Sequence, residues 1–152
     1  MIPSRRHLFS RLFASAAAGA LTWNASSNPS RADDQAVPRV AYHLSDVDKV
    51  TFVLGNIENH LEGMGGPQNV RIVLVVHGPA LALFQKKMAS ADISRRLARV
   101  FGDGVGLAAC GNTMKAQSVE LADLLPGFER ADEGGVVRLA RLQAEGYAYL
   151  RP

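Results

Sequence analysis

Cys110 is the only cysteine in 152 residues, so no disulfide can form within the chain and a fold of this size has to rest on its hydrophobic core. Neither a Cys-x-x-Cys nor a His-x-His pair occurs, and without such close ligand pairs the sequence gives no ground to expect a metal. No apolar run reaches the roughly 20 residues that a spanning helix requires. Gly63, Gly65 and Gly66 are followed by no Gly-Lys-Ser/Thr and come after a helical pattern, so they read as helix-stop glycines and not as a phosphate loop. No cofactor is expected. Acidic residues are absent from the first 32 positions, which hold Arg5, Arg6, Arg11 and Arg31.

That last absence divides the chain. A basic start, the apolar stretch Leu12 to Trp23 and a polar run ending Ser30-Arg31-Ala32 have the order of an export signal cleaved after Ala32. The pair Arg5-Arg6 in Ser-Arg-Arg-His-Leu-Phe, with its Ala/Gly-rich apolar region, resembles a twin-arginine signal. The expectation is a signal peptide over 1–32, a linker over 33–38 and one domain over 39–152. The domain would work in the periplasm and meet the membrane only during export. Removing the signal's four arginines from 17 Lys+Arg leaves 13 basic against 14 acidic residues, a balance near −1. With no clustered excess of positive charge, nucleic acid is excluded as a partner.

What is present alternates. Val40–Leu44 reads as a strand. Val50, Val53, Leu54, Ile57, Leu61 and Met64 recur at helical spacing, and Val70–Val76 is the almost uninterrupted apolar run of a strand covered on both faces. Leu81, Phe84 and Met88 suggest a short helix, and Ile93, Leu97, Val100 and Phe101 a second. Val105–Ala109 reads as a strand, Val119–Leu125 as a brief helix, Phe128–Ala131 as a short strand, Val136–Ala144 as a last helix and Tyr147–Leu150 as a closing strand. Strands alternating with helices predict an α/β protein of three layers, α/β/α, around a mostly parallel five-stranded sheet.

In such sheets chemistry gathers beyond the carboxyl ends of the strands, where His43-Leu44-Ser45-Asp46, His77-Gly78 and Cys110-Gly111-Asn112 fall. If the first and third strands are neighbours, Cys110 faces the loop of Ser45 and Asp46. A thiol between a strand end and a helix start meets backbone N–H groups that favour its thiolate, and Lys115 would add to that. The same position also suits a small buried hydrophobe, so two readings stay open: a reactive thiol assisted by His77, or a packed cysteine in a ligand-binding or assembly module. His43 shares the ambiguity of His77, and His60 falls on the polar side of its helix.

Three runs together, Val70 to Leu81 with its strand-His77-Gly78, Ala109-Cys110-Gly111-Asn112-Thr113-Met114, and Gly146-Tyr147-Ala148-Tyr149-Leu150, resemble the DsrE/DsrF-like (YchN-like) sulfur-relay family. The resemblance covers the chain beyond the export segment. It implies a flavodoxin-like three-layer fold, trimers or hexamers, and a cysteine that accepts and passes on sulfane sulfur as a persulfide, a role whose position Cys110 matches. On that basis Cys110 and His77 are the expected reacting residues, Gly78, Gly111, Asn112 and Ser45 the expected binding ones, and a sulfane-sulfur donor or acceptor protein the expected partner. With no second cysteine, the resolving thiol has to come from that partner.

Overall fold

The computed structural model describes residues 37–152; the expected export segment and most of the linker lie outside the described residues. Five strands, β1 (Arg39–Leu44), β2 (Arg71–Val76), β3 (Gly106–Cys110), β4 (Phe128–Ala131) and β5 (Ala148–Leu150), pair in parallel throughout in the order β4-β3-β2-β1-β5. Four α-helices connect them: α1 (Val50–Gly63), α2 (Ala91–Gly102), α3 (Gly111–Ala116) and α4 (Gly135–Ala144). The predicted α/β/α class and five-strand count are what the structure has.

Strand order explains the two unequal outer layers. From β1 to β4 each crossover steps the same way along the sheet, so right-handed connections put α1, α2 and α3 on one face; the return from β4 to β5, beyond β1, puts α4 alone on the other. The larger core lies on the first face. Val40, Tyr42, Leu44, Ile72, Leu74, Val76, Leu107 and Ala109 of the strands meet Val53, Leu54 and Ile57 of α1, Leu97 and Val100 of α2 and Met114 of α3. On the second face Ala41, Val75 and Ala108 pack against Leu139 and Leu142 of α4. Each fully buried Leu, Ile or Val contributes about 1.5–3 kcal/mol, so most of the stability resides on the three-helix face.

Local signals account for most element ends. Val50, Val53, Leu54, Ile57 and Leu61 form the buried stripe of α1, and Ser90 caps α2 by accepting from the Ile93 N–H at 3.2 Å. Some expectations need correcting. β1 and β3 are not neighbours, because β2 lies between them. The segment expected as a helix around Leu81 and Phe84 is a 3-10 helix, Gly78–Phe84, with Pro79 in its first turn, and Met88 beyond it is exposed. The helix expected over Val119–Leu125 shrinks to one 3-10 turn at Leu121–Asp123, and α3, which no periodicity announced, begins directly after Cys110. Phe101, expected in the core, is half exposed and lies over Gly127, where a Cβ would stand 2.7 Å from its ring.

Candidate functional site

Alternation along the strands selects the residues of the site. Side chains on the α4 face of β1 are Ala41 and His43, and on β2 they are Val73 and Val75; His77 continues the extended backbone at φ −145°, ψ 178° and keeps that face. On β3 the same face carries Ala108 and Cys110. Register then sets them side by side. Val76 pairs with Ala109, so one step further along His77 comes alongside Cys110. Gly135, the first residue of α4, lies over both: a Cβ there would be 3.2 Å from the His77 Cβ and 3.3 Å from the Cys110 Cβ. His77, Cys110, Asn112, Glu133, Gly135, Val136 and Val137 line a shared open cavity of about 270 Å³.

Cys110 is 6% exposed. Burial pushes its pKa up, but four donors outweigh it and bring the group below its ordinary value: the Thr113 hydroxyl and the N–H groups of Thr113, Gly135 and Asn112. Thr113 is also held from the other side, since its hydroxyl accepts the Gly78 N–H at 2.9 Å. That bond requires Gly78 to turn at φ +59°, a left-handed conformation suited to glycine. Gln117 Nε2 donates to the Gly78 carbonyl at 3.0 Å and fixes the turn further. Gly111 serves close packing, because a Cβ there would meet the Ala131 carbonyl at 2.9 Å; the donors to the sulfur come from the residues after it and from α4. Lys115 lines a different cavity, with Ser118, Glu120 and Arg130.

The histidines join across β1 and β2. His43 and His77 are in contact through their Nε2 atoms, with ring centroids 4.6 Å apart and planes at 25°. His43 Nδ1 meets the Tyr149 hydroxyl at 2.5 Å. His43 is lowered to about 4 by burial, by the charge His77 would carry and by Arg151, against an opposing pull from Asp46. His77 is lowered by burial and then by Arg151, again opposed by Asp46. Ser45 lies with this outer group and not in the Cys110 cavity: Arg151 Nη2 donates to Ser45 Oγ at 3.2 Å and to Asp46 Oδ2 at 3.1 Å. His60 hydrogen-bonds Tyr42 Oη at 3.0 Å on the opposite face. Among the described residues no group of three or more His, Cys, Asp or Glu side chains is placed to hold a metal ion.

Of the residues singled out in the sequence, Cys110, His77 and Asn112 share the cavity, while Gly78, bonded to Thr113, Gly111, packed on Ala131, and Ser45 do not line it. Thr113, Gly135 and the rim residues Val136 and Val137 were not singled out. The usable signal was the Gly134-Gly135 pair, which opens an apolar helix without a capping side chain.

No family model and no curated protein matches the sequence. Solved structures do. MTH1491 of Methanobacterium thermoautotrophicum, a protein of unknown function, is 29% identical over 76% of this chain and 99% of its own, with a TM-score of 0.67. The ychN protein of E. coli is 15% identical over 77% of this chain and 100% of its own, at 0.54. BT1422 of Bacteroides thetaiotaomicron, a conserved protein of unknown function, is 12% identical over 75% of this chain and 94% of its own, at 0.55. The chain has the YchN-like fold, a five-stranded parallel sheet with helices on both faces.

Proposed function

We propose that this protein is an exported sulfur carrier of the DsrE/DsrF type in which Cys110 holds sulfane sulfur as a persulfide. The observation that carries the reading is the thiol's place: Cys110 ends β3 directly before α3, with His77 beside it and Gly135 of α4 packed over both, on a small open cavity. The surroundings also hold the thiol below its ordinary pKa, which favours the reactive thiolate.

The chemistry balances without a cofactor. The Cys110 thiol gives its proton to His77, which lines the same cavity. The thiolate then attacks the terminal sulfur of a persulfide or polysulfide, R–S–S⁻; the donor's S–S bond breaks, a new S–S bond forms at Cys110, and R–S⁻ leaves with the bonding pair. A partner thiolate reverses the step and carries the sulfur away, so no net oxidation occurs. The N–H groups of Asn112, Thr113 and Gly135 that stabilise the thiolate are placed to stabilise the persulfide anion, which is also negative at neutral pH. A cavity of about 270 Å³ rimmed by exposed Val136 and Val137 admits a small inorganic polysulfide or the end of a partner's cysteine-bearing loop.

The basic, Ala-rich segment over 1–32 supports twin-arginine export to the periplasm, and the resemblance supports a trimer or hexamer. The test is to treat the full chain with polysulfide or thiosulfate, weigh it intact, then add a small thiol and weigh it again. The expected result is added sulfur on the native chain, none on Cys110→Ser, and its loss to the thiol. An unchanged mass would leave the other reading, a ligand-binding or assembly module with a packed cysteine.

A further inference from the structure

The three rings beyond the thiol make one continuous hydrogen-bonded chain. His77 borders the Cys110 cavity, His43 borders His77, and Tyr149, which is 40% exposed, ends the series at the surface. The two Nε2 atoms are in hydrogen-bond contact while the ring centroids stay 4.6 Å apart at 25°, so the imidazoles meet edge to edge, nitrogen to nitrogen, rather than face over face. A contact between two Nε2 atoms holds one proton: one ring donates and the other accepts. His43 therefore has its two nitrogens committed to two different partners. Whichever proton it holds, the other nitrogen must accept.

That commitment gives the chain two fully bonded arrangements. In one, Tyr149 donates to His43 Nδ1 and His43 Nε2–H donates to His77. In the other, His77 Nε2–H donates to His43, and His43 Nδ1–H donates to the Tyr149 oxygen. They differ by shifting each proton one step along the series.

We infer that His43 and Tyr149 are positioning residues that, through His77, form a proton relay between the Cys110 cavity and the protein surface. This inference rests on the sulfur-carrier reading for its purpose and on the ring geometry for its existence. In the loading direction His77 takes the proton released in the cavity at its Nδ1, passes Nε2–H to His43 Nε2, His43 passes Nδ1–H to the Tyr149 oxygen, and Tyr149 releases its own proton to solvent. One proton enters, one leaves, and every ring ends neutral. The reverse sequence delivers a proton to a leaving thiolate. Arg151, paired to Asp46 at 3.1 Å, sets its positive charge beside both imidazoles and opposes a resident imidazolium. Glu133 is the acidic group that α4's side brings to the cavity. The neutral pair is thereby kept ready to shift protons in either direction.

The experiment is nitrogen-15 NMR of the imidazoles in the full chain across about pH 2.5 to 8, with Tyr149→Phe, which removes only the hydroxyl, and Asp46→Asn, which leaves the rings and frees the charge of Arg151. The expected result is that His43 and His77 titrate as a coupled pair, that Tyr149→Phe changes the tautomer of His43 and moves the titration of His77, which it does not touch, and that Asp46→Asn lowers both. The same Phe variant is expected to slow sulfur uptake at Cys110 by about tenfold, less than the ~10² lost when general acid–base help is removed outright, and to shift its pH profile. Independent titration of the two rings, with His77 unmoved by Tyr149→Phe, would overturn the relay even where sulfur uptake is normal. Coupled rings in a chain that takes up no sulfur would support the relay and refute the carrier reading instead.

Discussion

Thr113 joins the thiol to the turn after β2, and replacing it by valine separates the two bonds from the shape of the side chain. The hydroxyl favours the Cys110 thiolate and accepts the Gly78 N–H at 2.9 Å; valine fills nearly the same volume and does neither. A hydrogen bond to a charged acceptor is worth about 1.5–3 kcal/mol, and one pKa unit corresponds to about 1.36 kcal/mol. Thr113→Val is therefore expected to raise the Cys110 pKa and to disfavour the thiolate by about 1.5–3 kcal/mol. The partly buried Gly78 N–H left without its acceptor costs the fold about 1 kcal/mol, toward the low side of the range for an unsatisfied group. Thr113→Ser keeps both bonds and is expected to behave as the native chain. The assay is the pH dependence of alkylation of the single thiol, with urea unfolding measured alongside. A valine variant whose thiol titrates like the native one would refute the claim that the hydroxyl holds the thiolate.

Gly135→Ala places a methyl 3.2–3.3 Å from the Cβ atoms of His77 and Cys110; it is expected to cost about 1–3 kcal/mol from overpacking and to block sulfur uptake while circular dichroism stays native. Leu74→Ala, at a fully buried position in the centre of the larger core, is expected to cost about 2–5 kcal/mol by chemical denaturation. His43 is held neutral in the folded chain, lowered from 6.5 to about 4, so the unfolded chain binds the extra proton between those values. Its contribution to stability is full above 6.5 and is lost as pH falls toward 4. Melting temperature should drop across that window, and less so in His43→Gln.

Much of the fold was legible because its largest signals are local. The run Val70–Val76, interrupted only by Arg71 at its start, reads as a covered strand, and the stripe from Val50 to Leu61 as an amphipathic helix. The rule that sites gather at carboxyl ends brought His77 and Cys110 to one edge before any register was known. What periodicity does not carry is the direction of each crossover. The expected adjacency of β1 and β3 failed for that reason: every step from β1 to β4 runs one way, so Ser45 is separated from Cys110 by the whole of β2. The return to β5 was equally hidden, and with it two parts of the site. It brings Gly135 over the thiol from a helix some 25 residues on, and Tyr149 to His43 across 106 positions. The 3-10 segments escaped because Leu81 and Phe84 are buried at a spacing that one turn of either helix type satisfies.

The most direct measurement of the central claim is the initial rate of sulfur addition to the native full chain as a function of pH, read by intact mass beside Cys110→Ser. Addition to Cys110 alone, rising with pH through a midpoint below that of an ordinary thiol, is the predicted result. A native chain that takes up no sulfur at any pH, while the urea-unfolded chain is readily alkylated at Cys110, would contradict it.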